Sequence, residues 1–245
     1  MVFITAEIGI NWIGDLDLAE QLMVGAKKAG CNAVKFQAFN EKIVNDHPAK
    51  DLLLRSTISE KNIEQINNIS KKVGIEWYCT PMYPEAIEFL DPYVNRYKIR
   101  YSDSQSLFLN KQTPLITNIL KTGKQVIISS EKNPKETELY NNPNVKWLYV
   151  VPKYPCTLED LDFLHLDDFD GYSNHCRHFL APLTAVILGA EMIEIHITHD
   201  HNGDYLDNPV SFDLNELQTL VELIHLSQKI KHVKNLNKRT ELSRI

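Results

Sequence analysis

The chain has 245 residues, of which 43% are hydrophobic, and its formal net charge is −6. This is enough for one large domain with a substantial core. No basic run precedes the C-terminal tail, so nucleic acid is not an expected partner. No apolar stretch approaches the roughly 20 residues that a membrane span needs, and the N-terminus lacks the basic region of a signal peptide.

The cysteines are scattered along the chain and form no C-x-x-C pair. They are Cys31, Cys79, Cys156 and Cys176. This spacing favours reduced thiols over a disulfide framework or a thiolate metal site. We therefore expect a cytoplasmic protein that contacts neither membranes nor nucleic acid.

Strand and helix patterns alternate along the whole sequence. Apolar runs bounded by turn residues predict strands, and apolar positions at helical spacing predict helices. The predicted strands cover residues 2–8, 33–39, 75–80, 93–99, 125–129, 145–151, 169–173 and 192–197. The predicted helices cover residues 15–28, 59–73, 84–90, 113–121, 134–140, 158–164, 179–188 and 213–230. Residues 40–59 are expected to form a long polar loop.

Eight strands in alternation with eight helices predict the α/β class and a (β/α)8 TIM barrel. We expect a single domain over residues 1–232, followed by a basic tail over residues 233–245. An open doubly wound sheet is the alternative. A nucleotide-binding fold of that kind is expected to carry a glycine-rich phosphate-binding motif after the first strand. The sequence Glu7-Ile8-Gly9-Ile10-Asn11 does not supply one.

Polar residues follow most of the predicted strands, at the end of a barrel where chemistry gathers. They include Glu7, Lys35, Gln37, Thr80, Lys98, Arg100, Asp103, Ser129 and Tyr154. Fixed positive charge surrounded by hydroxyl donors suits a small ligand that carries both a phosphate and a carboxylate. The residues alone leave open whether Lys35 and Lys98 instead form structural ion pairs inside the barrel.

The last two strands carry a further constellation. Strand seven runs into His175 and strand eight ends at His196, with Ser173, Asn174 and Glu194 beside them. Because the two strands should be parallel neighbours, both imidazoles can reach one divalent metal with open coordination positions. A structural hydrogen-bonding role is the alternative for each histidine. His201 is expected in a solvated loop rather than at a metal.

Six short motifs occur in order at barrel-like spacing over roughly residues 4–213. They are Ala6-Glu7-Ile8-Gly9-Ile10-Asn11, Ala33-Val34-Lys35-Phe36-Gln37, Cys79-Thr80-Pro81, Tyr97-Lys98-Ile99, Gly171-Tyr172-Ser173-Asn174-His175 and Gly189-Ala190-Glu191-Met192-Ile193-Glu194-Ile195-His196. Together they resemble the sialic acid (N-acetylneuraminate) synthase family. The resemblance implies a metal-dependent barrel that condenses phosphoenolpyruvate with an aldose such as N-acetylmannosamine. The product is a nonulosonic acid, a 2-keto-3-deoxy sugar acid, and phosphate is released.

The resemblance also implies roles for particular residues. Phosphoenolpyruvate would contact Lys35, Thr80, Lys98, Ser129, Ser173 and Asn174. A divalent metal, manganese or magnesium, would be held by His175 and His196. The sugar or its protons would be handled by Glu7, Gln37, Asp103, Tyr154, Glu194 and Asp207, with Glu7, Asp103 and Glu194 as the catalytic candidates.

The sequence departs from the family pattern on the side expected to face the sugar. The family's K-I-G-S-G-E is replaced by Lys98-Ile99-Arg100-Tyr101-Ser102-Asp103. We hypothesise that Arg100 replaces a lost hydrogen-bond donor to phosphate. Alternatively, it replaces the arginine that the family's C-terminal antifreeze-like domain carries into a partner's site. That domain is expected to be missing from this chain. We expect a homodimer, with a separate lid-providing protein as a further candidate partner.

Three functions are therefore open at the level of sequence. The leading hypothesis is an aldose-condensing synthase with an altered acceptor. A metal-dependent aldolase on the same barrel is the second. The third is a non-catalytic or partner-dependent barrel that binds a sugar.

Overall fold

The computed structural model describes residues 1–230, which form a closed barrel of eight parallel strands in the order β1 to β8. This confirms the predicted (β/α)8 fold. The strands are β1 Phe3–Gly9, β2 Ala33–Ala38, β3 Glu76–Pro81, β4 Arg96–Ile99, β5 Gln125–Ser130, β6 Val145–Tyr149, β7 Gly171–Asn174 and β8 Met192–His196. The predicted basic tail over residues 233–245, with the last two residues of the predicted domain, lies outside the described residues.

Local sequence signals explain where the helices begin and end. The helices are α1 Leu16–Ala29, α2 Glu41–Val44, α3 Lys50–Ser56, α4 Ile63–Val73, α5 Ala86–Leu90, α6 Tyr101–Ser104, α7 Pro114–Lys121, α8 Leu180–Ile187 and α9 Leu214–Ser227. Asp15 caps α1 by accepting hydrogen bonds from the backbone of the first turn, and Gly30 ends it with a φ of 97°. Asp213 and Glu216 form a capping box on α9. These caps satisfy backbone groups that a helix end leaves unpaired.

The strand register decides which side chains meet at the carboxyl end of the barrel. In β1, Glu7 pairs with Lys35 of β2 on one side and with His196 of β8 on the other. Between β7 and β8, Ser173 pairs with Glu194. Because paired residues of neighbouring strands point to the same face, these charged and polar groups are brought to one level of the barrel.

Two predicted helices are wrong. Residues 134–140 and 158–164 each contain only one 3-10 turn, at Pro134–Glu136 and Leu158–Asp160. In the second, Asp160 accepts a hydrogen bond from the backbone N–H of Thr157 at 2.7 Å and binds the Lys153 ammonium at 2.8 Å. Side chains that bond locally in this way close a turn and compete with helix propagation.

The predicted loop over residues 40–59 is also wrong in part, because it contains α2 and α3. Asn40 starts α2 by accepting a hydrogen bond from the backbone N–H of Ile43 at 3.2 Å. A further short helix, α6, follows β4 directly and was not predicted. Both differences lie on the carboxyl side of the barrel, where connecting segments build the walls of a site.

Aromatic side chains fill the space between the sheet and its helices. Phe36 contacts Trp12 and Trp77 edge to face, with ring centroids 6.0 Å and 6.2 Å apart. All three are almost fully buried, so the tryptophans are packing residues and not a sugar platform. The four cysteines are free and buried. Within residues 1–230, no helix has both the length and the apolar character that crossing a membrane requires.

Gly171 is needed where β7 approaches β8. A Cβ at this position would lie 1.9 Å from the carbonyl oxygen of Met192, which is backbone and cannot rotate away. We expect Gly171→Ala to lower the free energy of unfolding by about 3 kcal/mol or more, as overpacking against backbone does. Urea denaturation would measure the loss.

A matched variant, Gly123→Ala, controls for backbone conformation. Gly123 has a φ of 69° and nothing within 4 Å of an added Cβ. Its loss should be about 1–2 kcal/mol, the cost of the left-handed region alone. Equal losses for the two variants would contradict the packing argument.

Candidate active site

A cavity of about 350 Å³ opens at the carboxyl ends of the strands, and we call it the strand-end cavity. The structure brings thirteen of the fifteen predicted site residues to its lining: Glu7, Lys35, Gln37, Thr80, Lys98, Arg100, Ser129, Tyr154, Ser173, His175, Glu194, His196 and Asp207. Four further residues complete the wall: Met82, Tyr101, Ser102 and Val150. The cavity therefore draws on the ends of all eight strands.

The floor of the cavity is a buried network of two lysines and two glutamates. Lys98 Nζ lies 2.8 Å from Glu194 Oε2, and Lys35 Nζ lies 3.7 Å from the same oxygen. Lys35 Nζ is also 3.0 Å from Glu7 Oε1. None of the four side chains is more than 5% exposed. Two positive and two negative charges thus balance one another where water is excluded.

Hydroxyl and amide groups complete this floor. Lys35 donates to Thr80 Oγ1 at 2.9 Å, and Ser173 donates to Glu194 Oε1 at 2.9 Å. Gln37 donates to Glu7 Oε1 at 2.8 Å. The second Glu7 oxygen, Oε2, is buried and has no hydrogen-bond partner among the described residues. Glu7 therefore has one anchored oxygen and one that is available to a ligand.

The network sets the protonation of its members. Burial would raise the pKa of Glu194, but Lys35 and Lys98 outweigh it and hold that pKa well below its usual value. For Glu7, burial prevails over Lys35 and raises the pKa. Burial lowers the pKa of Lys98 to about 8, although Glu194 opposes the shift. Burial would also lower the pKa of Lys35, but Glu194 and Glu7 outweigh it and raise that pKa.

A pair of histidines lies beside this floor, at the ends of β7 and β8. The ring centroids of His175 and His196 are 5.3 Å apart. Burial lowers the pKa of His175 to about 3, so its ring is neutral at physiological pH. Each Nδ1 atom is buried without a hydrogen-bond partner in residues 1–230. Two imidazoles with buried, orphaned nitrogens fit a divalent metal, and they leave coordination positions open.

Asp207 borders the histidine pair from the loop that follows β8. Its Oδ2 atom lies 3.5 Å from His196 Nδ1, and its Oδ1 atom accepts a hydrogen bond from the Tyr154 hydroxyl at 2.6 Å. Burial would lower the pKa of His196, but Asp207 outweighs it and raises that pKa. Burial likewise raises the pKa of Tyr154, and Asp207 adds to the shift. Tyr154 is therefore a neutral hydroxyl donor.

The backbone of Asp207 is fixed by residues whose supporting role was not predicted. Asn11 Oδ1 accepts a hydrogen bond from the Asp207 N–H at 3.2 Å, and Asn11 Nδ2 donates to the Ile197 carbonyl at 2.9 Å. Ser211 donates to the Asp207 carbonyl at 2.7 Å. Asn11 lies two residues after the end of β1, and the sequence could therefore place it at the carboxyl end of the barrel. Its partners are about 200 residues distant in the chain, so only the tertiary structure identifies them.

Two predicted site residues do not line the cavity. Asn174 is fully buried and bonds to the backbone of Cys176, donating to its carbonyl at 2.9 Å and accepting from its N–H at 3.2 Å. Asn174 thus shapes the turn after β7. Asp103 sits in α6 and accepts a hydrogen bond from Arg100 Nε at 2.7 Å. Its carboxylate is directed at that guanidinium instead of the cavity floor.

Two of the additional wall residues could not be found by searching for chemistry. Met82 and Val150 each follow a strand by one residue, at the end of β3 and of β6. They are apolar, so nothing in the sequence marked them as more than core. Tyr101 donates a hydrogen bond to Glu131 at 2.7 Å, which raises the pKa of the tyrosine to about 12.

A second group of metal-ligating side chains lies outside the cavity. Within residues 1–230, only His201, Asp213 and Glu216 form a cluster of three or more such groups with ligand atoms all within 4.8 Å. His201 Nε2 is 2.8 Å from Glu216 Oε2, so this histidine is tied to α9 and is not simply solvated as predicted. Arg177 lies 3.2 Å from Glu216. The carboxylates of Asp213 and Glu216 are already engaged in the capping box of α9, and Glu216 also pairs with this arginine.

Fold and site together define a (β/α)8-barrel enzyme with a polar cavity at the carboxyl ends of the strands. The chain belongs to the NeuB family, whose model matches residues 22–235. An uncharacterized protein of Methanocaldococcus jannaschii is 30% identical over 246 residues, with 93% of this chain and 71% of that protein covered. The pseudaminic acid synthase of Campylobacter jejuni subsp. jejuni serotype O:2 is 27% identical over 261 residues, with 93% and 74% covered.

A solved structure extends this comparison to three dimensions. It is the N-acetylneuraminic acid (sialic acid) synthetase of Leptospira borgpetersenii serovar Hardjo-bovis in complex with citrate. It matches with a TM-score of 0.82 and 26% identity, and the match covers 100% of this chain and 93% of that chain.

The carboxylate of Glu194 is the link between the two buried lysines. Replacing it by Gln keeps the shape but removes the negative charge that lies 2.8 Å from the buried Lys98 ammonium. We expect Glu194→Gln to lower the free energy of unfolding by about 3–5 kcal/mol, because removal of one partner strands a buried charge. Chemical denaturation at pH 7 would measure the change.

Glu76→Gln provides the matched control. Glu76 binds Arg96 at 2.8 Å near the opposite end of the barrel, and about a quarter of its side chain is exposed. Its loss should cost about 1 kcal/mol or less, as partly exposed pairs do. A loss for Glu194→Gln no larger than this would contradict a buried network.

Proposed function

We propose that this protein is a metal-dependent synthase that condenses phosphoenolpyruvate with an aldose. The product would be a nonulosonic, 2-keto-3-deoxy sugar acid, with phosphate as the second product. The observation that carries the proposal is the placing of two buried lysines and two histidines with buried, unpartnered Nδ1 atoms in one strand-end cavity. The relatives named as pseudaminic acid and sialic acid synthases support the same chemistry.

The donor would bind at the floor of the cavity. Lys35 and Lys98 offer ammonium groups to its phosphate and carboxylate, and the hydroxyls of Thr80, Ser129 and Ser173 offer further donors. Ser129 Oγ is buried and has no partner in the described part of the chain, which suits a group that waits for a ligand. Glu194 would hold the two lysines in position without itself contacting the donor.

A divalent metal, Mn²⁺ or Mg²⁺, would be held by His175 and His196. When bound, it would supply Lewis acidity toward the carbonyl oxygen of the aldose. The His pair provides two ligands and leaves the remaining positions to water or substrate. Asp207 and the Tyr154 hydroxyl lie beside the histidine pair and would orient the sugar hydroxyls.

The chain's own residues would then manage bond formation and protons. The C3 atom of phosphoenolpyruvate attacks the aldehyde carbon, and a C–C bond forms as positive charge develops at C2. Water adds at C2, and the C–O bond to phosphate breaks to leave the keto acid. The raised pKa of Glu7 and its unpartnered Oε2 suit a proton donor to the aldehyde oxygen or a base for the water.

Two alternatives remain to be tested against this proposal. A non-catalytic or partner-dependent sugar-binding barrel would need no buried cationic floor. A metal-dependent aldolase would cleave a sugar acid to pyruvate without any use of phosphoenolpyruvate. The homodimer, the separate lid-providing protein, the cytoplasmic location and the 1–232 domain boundary stay predictions.

The test is release of phosphate from phosphoenolpyruvate with Mn²⁺ across a panel of aldoses. We expect release that requires an aldose and falls at least about 100-fold in His196→Ala, because the metal would lose one of its two protein ligands. Failure of every aldose with folded, Mn²⁺-loaded protein would reject the synthase. Pyruvate formation from a nonulosonic acid alone would favour the aldolase.

His201→Ala is the matched control, since it removes a histidine from the one other metal-ligating cluster in the described residues. Titration of Mn²⁺ followed by electron paramagnetic resonance should show weakened binding in His196→Ala and unchanged binding in His201→Ala. The reverse pattern would place the metal at α9 and contradict the proposed centre.

Lys98 should make donor binding depend on pH. Its pKa of about 8 means that the ammonium form prevails below pH 8 and is lost above it. We expect kcat/KM for phosphoenolpyruvate to fall by about tenfold per pH unit above this pKa, since that parameter reports groups of the free enzyme. In Lys98→Arg the guanidinium stays charged, so the fall should disappear or move to higher pH. An identical profile in both proteins would exclude Lys98 as its source.

A further inference from the structure

Arg100 is the one cationic side chain of the strand-end cavity that is only lightly engaged. Its Nε atom donates to Asp103 Oδ2 at 2.7 Å, and 39% of its side chain is exposed. The other guanidinium N–H groups make no hydrogen bond within residues 1–230. By contrast, Lys35 and Lys98 are buried and bonded to carboxylates. Arg100 therefore has unused hydrogen-bond donors at the rim of the cavity, outside the buried network of the floor.

The ion pair between Arg100 and Asp103 restrains this guanidinium only weakly. Arg100 is the N-cap residue of α6, and Asp103 lies three residues later within the helix. Both side chains are partly exposed to solvent. Exposed pairs of this kind contribute little to stability, and they give way to a better ligand. A phosphate or carboxylate offers two oxygens to the planar fork of an arginine, which is a stronger arrangement.

The position of Arg100 in the barrel indicates which part of a substrate it would meet. It directly follows β4, and in a closed barrel of eight strands β4 lies opposite β8. His196 ends β8, so Arg100 stands across the mouth of the cavity from the histidine pair. Ser102 lines the cavity beside it.

We propose that Arg100 binds an anionic group, a phosphate ester or a carboxylate, at the end of the acceptor aldose farthest from the aldehyde. This rests on the proposed function, which puts the aldehyde beside His175 and His196. The proposed donor ligands, Lys35 and Lys98, lie at the floor of the cavity, whereas Arg100 lies at its rim. Arg100 is thus a specificity-determining residue that selects a charged acceptor over a neutral one.

Binding of hexitol phosphates tests this without any need for turnover, because a hexitol has no aldehyde to condense. Titration calorimetry would compare mannitol 1-phosphate and glucitol 6-phosphate with the free hexitols, in the presence of Mn²⁺. We expect at least one phosphate to bind at least about tenfold more tightly than its free hexitol, and Arg100→Ala to abolish the difference. Asp103→Asn should tighten binding of the phosphate, because its competitor for the guanidinium is gone.

Arg177→Ala is the matched control, since Arg177 is also 39% exposed, is paired with Glu216 and lies outside the cavity. It should leave the preference intact. Equal or undetectable binding of phosphorylated and free hexitols would overturn the proposal. So would an Arg100→Ala variant that weakens phosphoenolpyruvate binding and spares the hexitol phosphates.

Kinetics separates this proposal from the synthase on which it rests. Phosphate release with neutral aldoses but no preference for aldose phosphates would overturn the role of Arg100 and leave the synthase standing. Arg100-dependent binding of hexitol phosphates, with no release from any aldose, would support the anion site and reject the synthase. With both intact, Arg100→Ala should lower the ratio of kcat/KM for aldose phosphate over free aldose by about 100-fold.

Discussion

The two lysines inside this barrel are tolerable only because two glutamates are buried with them. An isolated ammonium in a water-excluded interior loses its hydration, and no packing contact replaces it. Here Glu194 reaches both Lys98 and Lys35, and Glu7 reaches Lys35 again. Such a set is marginal for stability, since each member is costly without the others. Its retention in the centre of a barrel makes sense as preparation for an anionic ligand.

The balance of this network divides the cavity into a floor and a rim. At the floor, carboxylates hold the ammonium groups in position and share the positive charge that a donor would bind. Along one side, the histidine pair and Asp207 form a second centre that suits a divalent metal. At the rim, Arg100 has an exposed and replaceable partner. In the proposed synthase, buried charge would hold the donor, and exposed charge would select the acceptor.

The connections between strands explain how groups remote in sequence reach this cavity. Where helices were expected after β5 and β6, the chain makes 3-10 turns and otherwise irregular segments. The segment after β6 brings Tyr154 to Asp207, which itself lies in the loop after β8. Asn11 and Ser211 fasten that loop to the barrel.

The sequence by itself determined the barrel, because apolar strands alternating with helix-spaced segments have few other ways to bury their faces. It also determined most of the site, since polar residues that end parallel strands must share one edge. The tertiary structure alone decided which of them face the cavity. Asn174 and Asp103 do not face it, because each forms hydrogen bonds with a nearby residue. Asn174 bonds to the backbone of Cys176, and Asp103 accepts from Arg100. It likewise decided the protonation of Lys98 and His175, because burial and the distance to a neighbouring charge exist only in the folded chain.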